Sequence, residues 1–297
     1  MDWYYLILLS AITNAFFIIS TKKVLLKEHS IEFSSALSLL VFLLSLPLLL
    51  FIDLNFNINE VALVYIASSF FTIAFLFNMK SIRHMDVSVV APLMTFNVAI
   101  TSFLAFIFLG ESLSKMQVIG VLLLLAGAYV LQTHHRQSKL LDPLKKMFTS
   151  KYIVYLFASL FMFSFAFLMI KSATDRSNPG SIGAMEYLFL LNSFVALNFF
   201  IITTLFYNGV KTYKSGLKPL KIIIIPAALI LLYRLLQINA MAIPAAKLSL
   251  IIALNEIYVF FVVLIGGKMF HEHNIKRKIF GTIIILTGIF FVLYASI

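Results

Sequence analysis

Three ionisable side chains stand inside stretches that are otherwise apolar: Glu186, Arg234 and Glu256. A charge at the centre of a bilayer costs about 2.5–3.5 kcal/mol on insertion scales, so such groups face a bundle interior or a wet cavity. The planar guanidinium of Arg234 can bond two oxygens of a carboxylate or phosphate at once. Glu256 can engage a cationic group or carry a proton. At a rise of about 1.5 Å per residue, Glu256 lies roughly 15 Å, Arg234 roughly 11 Å and Glu186 roughly 6 Å below the outer surface. Arg234 thus falls between the carboxylates in depth, within reach of either. One outcome is a buried pair, Arg234 with Glu256 or with Glu186, that only neutralises its members. The other is a pair of ligand groups for a solute, with Glu256 the candidate for a coupling proton. Tyr233 and Gln237 flank the arginine, and Asn255 and Tyr258 flank Glu256. Thr95, Asn97, Asn78 and Asn239 are neutral polar groups expected to share the same space.

Intramembrane catalysis needs a nucleophile–base set or a metal cluster at depth. The chain has no cysteine, and its histidines lie outside the apolar stretches, so neither can be assembled. His271 and His273 are two ligands without a third and read as interfacial residues. No metal or cofactor is expected.

What holds the ionisable groups must be lipid-embedded helix. Of 297 residues, 62% are apolar and 12% charged, against roughly 45–50% and about 25% in soluble domains. Ten spans are expected, near 3–20, 31–52, 61–79, 86–109, 116–133, 152–171, 182–207, 220–241, 246–267 and 278–296. Of the 23 Lys and Arg, 18 fall in the loops that follow odd-numbered spans. That bias puts those loops in the cytoplasm and both termini outside a plasma or inner membrane. It also accounts for the net charge of +11 without nucleic acid as a partner.

Slid by 161 positions, the chain matches itself. Glu111, Gly120 and Gly127 fall on Glu272, Gly281 and Gly288, Ser88 on Ser249, Asn78 on Asn239, and Thr95 on Glu256. Two like units of five spans must lie inverted with respect to each other, an arrangement from which secondary transporters build one midplane site. Ser114 with Gln117 predicts a capping box, and Glu111 is placed to meet a neighbouring helix N-terminus. The paired glycines predict close helix packing, either within one chain or in a homodimer.

The run Ala91-Pro92-Leu93, then Leu109-Gly110-Glu111-Ser112-Leu113, Gln117, Gly120 and Gly127 resembles the drug/metabolite transporter superfamily, in its EamA-type branch. That family pattern has a proline in the fourth helix, a Gly-Glu turn and two glycines in the fifth, repeated in the ninth and tenth. Here the second copy keeps Glu272, Gly281 and Gly288 but has Ala253 in place of proline, and the first helix has Thr13-Asn14 where members often carry Trp-Gly. The resemblance implies a small-molecule carrier working by alternating access, with a cavity lined by helices 1, 3, 4, 6, 8 and 9.

The expectation is therefore an all-α polytopic membrane protein of two inverted five-helix repeats, 1–133 and 152–297, joined by a basic linker, 134–151, that lies on anionic lipid. A zwitterion such as an amino acid is the first solute expected, an organic cation held at Glu256 with a Tyr258 face is the second, and a nucleotide sugar is weaker for want of cations. A membrane scaffold without transport would show the interior filled by side chains.

Overall fold

Lipid offers no partner for a free amide, and the long apolar stretches of the chain are helical accordingly. The computed structural model describes residues 2–53, 55–111, 114–132, 150–244, 246–271 and 275–294, among which there is no strand. Expectations on the linker before Ser150, on Ser112 and Leu113, and on Glu272 and His273 lie outside the described residues.

In order the helices are α1 (Trp3–Leu25), α2 (Ser30–Ser45, extended by a 3-10 turn at Leu46–Leu50), α3 (Ile58–His84), α4 (Val87–Met94), α5 (Phe96–Leu109) and α6 (Lys115–Gln132). There follow α7 (Lys151–Thr174), α8 (Ala184–Phe206), α9 (Gly209–Gly216), α10 (Leu220–Met241), α11 (Leu248–Asn255), α12 (Tyr258–Phe261), α13 (Gly267–Met269) and α14 (Ile275–Tyr294). A π segment, Val262–Gly266, joins α12 to α13. Among the described residues, eight apolar helical segments are long enough to cross a membrane. The expected fifth and tenth spans correspond to α6 and α14, which are outside those eight.

Local chemistry sets several helix ends. Asn57 and Glu60 close a capping box on α3. At α6 the Ser114 amide donates to Gln117 Oε1 at 2.7 Å, and the Gln117 amide donates to Ser114 Oγ at 3.3 Å. Gly110 ends α5 in the left-handed region at φ 67°, where an L side chain is strained. The next residue, Glu111, reaches across the bundle to the start of α11. Its Oε1 accepts from the Leu248 amide at 2.7 Å, and its Oε2 from the Ser249 hydroxyl at 2.6 Å. A carboxylate at a helix N-terminus meets unpaired amides and the positive end of the dipole.

Two buried lysines do the converse at helix C-termini. Lys22 of α1 donates to the carbonyls of Ile82 and Met85, at 2.6 and 2.7 Å, where α3 ends. Lys171 of α7 donates to those of Met241 and Ile243, at 3.0 and 3.1 Å, where α10 ends, and pairs with Asp175 at 2.7 Å. Desolvation pulls the Asp175 carboxyl upward, but hydrogen bonds from Lys171 and Ser177 outweigh it, and the net displacement is below the ordinary value.

Packing crosses between the halves. The main pairs are α1 with α10, α3 with α7, and α6 with α14, supported by α3 with α8 and α2 with α10. The glycine faces meet inside the chain: a Cβ on Gly127 would come within 2.6 Å of Ile285 and 2.9 Å of the Gly281 carbonyl. The Gly127 face is thereby packed against α14.

The expected continuous spans 86–109 and 246–267 are both interrupted, one between α4 and α5 at Thr95, the other between α11 and α12 at Glu256. The two positions are 161 apart. At the second break the ladder tightens to three-residue bonds, from the Glu256 amide to Ala253 and from the Ile257 amide to Leu254. The second break has no proline, so hydropathy alone does not reveal it. The short helix α9, in a loop counted only for its charge, is a further addition.

Candidate functional site

The two interruptions bring residues of both halves around one cavity. Its polar lining is Asn14 of α1, Asn78 of α3, Asn97 of α5, Gln237 of α10, and Asn255 and Glu256 at the second break. Tyr233, Tyr258, Phe71, Phe75, Phe163 and Phe167 supply aromatic walls. Glu256 is the charged member of this lining, and its residue is only 3% exposed. The Tyr258 hydroxyl stands beside the Glu256 carboxyl. Glu256 Oε2, Tyr258 Oη and Gln237 Nε2 are buried without hydrogen-bond partners.

Hydroxyls hold the asparagines in place. Ser10 of α1 donates to Asn255 Oδ1 at 3.4 Å, and Ser164 of α7 donates to Asn97 Oδ1 at 2.8 Å. Thr101, one turn from Asn97, also donates to that oxygen. Each half thus lends a serine to the interrupted helix of the other. Asn78 Nδ2 turns toward Met94 Sδ at 3.7 Å.

Of the expected site residues, Glu256, Tyr258, Asn255, Asn97, Asn78, Gln237 and Tyr233 line the cavity, while four others do not. Thr95 is fully buried in the first break. Asn239 turns back on its own helix, bonding the Leu235 carbonyl at 2.8 Å. Glu186 lies in the first turn of α8 with its carboxyl folded over Gly183, where a Cβ would collide with it. The fourth is Arg234, and it forms neither expected ion pair. Nη1 donates to Asn192 Oδ1 at 2.7 Å, and the guanidinium lies over the Phe71 ring, 4.5 Å from its centroid. Depth placed Arg234 level with two carboxylates, but helix rotation turns it toward α8 and α3 instead.

Asn192, Phe71, Ser10 and Ser164 were missing from the expected set. Asn192 carried a usable signal, being with Asn198 one of two amides in the apolar run 182–207. The serines carried none, because single hydroxyls are ordinary in membrane helices.

Residues 1–133 match the model of the EamA-like transporter family. The first half of this chain is EamA-like. That family is one of transporters, and the match covers the first 133 of the 297 residues. The EamA-like half supplies Asn14, Phe71, Asn78 and Asn97 to the cavity. No curated protein matches the chain in sequence. A solved structure, described only as the crystal structure of a protein, superposes with a TM-score of 0.65 at 12% identity, covering 99% of this chain and 97% of that one. At that identity the likeness concerns the fold.

Proposed function

We propose that the chain is a secondary carrier that takes a solute bearing a cationic nitrogen and an aromatic or apolar body. The observation that carries this is the pairing of one buried carboxylate, Glu256, with walls that include five phenylalanines and two tyrosines. A cation gains from both, through charge-assisted hydrogen bonding and through ring faces. Arg234 is outside the lining, so an amine is the group the cavity itself selects, ahead of a phosphate or a sugar.

The carrier has ten spans in two inverted repeats, 1–133 and 152–297, and works by alternating access. Support for the repeats comes from the equivalent breaks at Thr95 and Glu256, the two lysines that cap α3 and α10, and the crossed pairs Ser10–Asn255 and Ser164–Asn97. Glu256 also serves as the proton carrier, exchanging a proton for the solute cation at one carboxylate.

Counterflow of a labelled aromatic amine, phenethylamine, into proteoliposomes tests the reading. Losing a charge-assisted bond of about 1.5–3 kcal/mol lowers amine affinity roughly 10–100-fold in Glu256→Gln. The variant stays folded, since it removes a buried charge rather than stranding one. Wild-type counterflow by Glu256→Gln would remove the site. An imposed pH gradient drives accumulation in the wild type; counterflow without such drive would keep the carrier and remove the coupling.

A further inference from the structure

Arg234 is 5% exposed, and among the described residues no carboxylate lies within ion-pair distance of it. Its one hydrogen-bond partner, Asn192 Oδ1, is neutral. Both residues have donors left over: Arg234 Nε and Asn192 Nδ2 are buried without an acceptor. A guanidinium does not shed its proton, and a buried charge without a counter-charge is strongly unfavourable. Two unused donors beside an uncompensated positive charge make the donor set of a desolvated anion site. Phe71, which stacks on Arg234, also lines the cavity, so this cluster adjoins the solute space without being part of its lining.

We propose that Arg234 and Asn192 form a subsite for one monovalent anionic group, separate from the Glu256 end of the cavity. The group is either a free anion bound with the solute or the carboxylate of a solute whose amine is held at Glu256; the second source rests on the carrier reading, the first does not.

The test is the melting temperature of the purified full-length protein in sodium gluconate, titrated with chloride or formate, then with phenylalanine against phenethylamine. A ligand that binds only the folded state raises the melting temperature in proportion to its occupancy. Chloride or formate raising it by a few degrees in the wild type but not in Arg234→Gln assigns a free anion. Inert chloride and formate, with phenylalanine stabilising more than phenethylamine and the excess lost in Arg234→Gln, assigns the solute's carboxylate. Equal responses of wild type and Arg234→Gln to all four probes overturn the subsite. Asn192→Asp keeps the test decisive if Arg234→Gln does not fold: a built-in counter-charge raises the melting temperature and abolishes the anion response, and a wild-type response in that variant overturns the proposal. Phenethylamine stabilisation, and its loss in Glu256→Gln, reports on the carrier reading alone.

Discussion

Asp175 and Arg234 show two fates of a charge held away from water. Asp175 is met by the Lys171 ammonium and by the amide and hydroxyl of Ser177, and its carboxyl is displaced below the ordinary value despite burial. A carboxyl depressed in the folded state stabilises above its unfolded pKa and loses that contribution as the pH falls through the folded one. The melting temperature of the wild type therefore exceeds that of Asp175→Asn at pH 7. The gap closes as the pH drops below about 4, the unfolded Asp range. A gap that persists unchanged at pH 3 would assign Asp175 a packing role only. Arg234 has no such partner. Sequence placed it at membrane depth, because depth follows from counting residues along a helix. Its direction depends on how α10 is rotated against α3 and α8, which a count does not contain. Glu256 was legible as a carboxylate at membrane depth, and Asn255 and Tyr258 as its polar neighbours along the chain.

At the level of elements, the glycine pattern carried over well into structure. Gly127 sits where α6 and α14 touch, with no room for a Cβ against Ile285 and the Gly281 backbone. Gly127→Ala overpacks this contact and costs about 1–3 kcal/mol. Gly110→Ala has open space around it but a φ of 67°, and costs about 1 kcal/mol from backbone strain. Thermal melts separate the mechanisms: in an Ile285→Ala background the added penalty of Gly127→Ala shrinks, because the nearest clash is gone while the Gly281 and Ile285 backbone contacts remain, and that of Gly110→Ala is unchanged. If the double variant gains nothing, α6 and α14 do not meet as described. The breaks at Thr95 and Glu256 were less legible. Both lie in strongly apolar runs, and only the first has a proline nearby. The second is marked by tightened hydrogen bonds at Glu256 and Ile257, a property of the folded backbone rather than of composition.

For the whole molecule, the crossed contacts mean that neither half completes the cavity alone. Asn14, Phe71, Asn78 and Asn97 come from one half, and Phe163, Tyr233, Asn255 and Glu256 from the other. On the proposed inverted arrangement, the Lys and Arg bias in each half puts both termini outside. Reporter fusions at the C-terminus accordingly register as external, and a cytoplasmic signal would reverse the assignment of the two membrane faces. The lysine caps on α3 and α10 have a consequence for ion traffic. Convergent carbonyls form the kind of cup that would strip and hold a bare alkali ion. With a tethered ammonium seated in each, such ions find no resting place at either helix end.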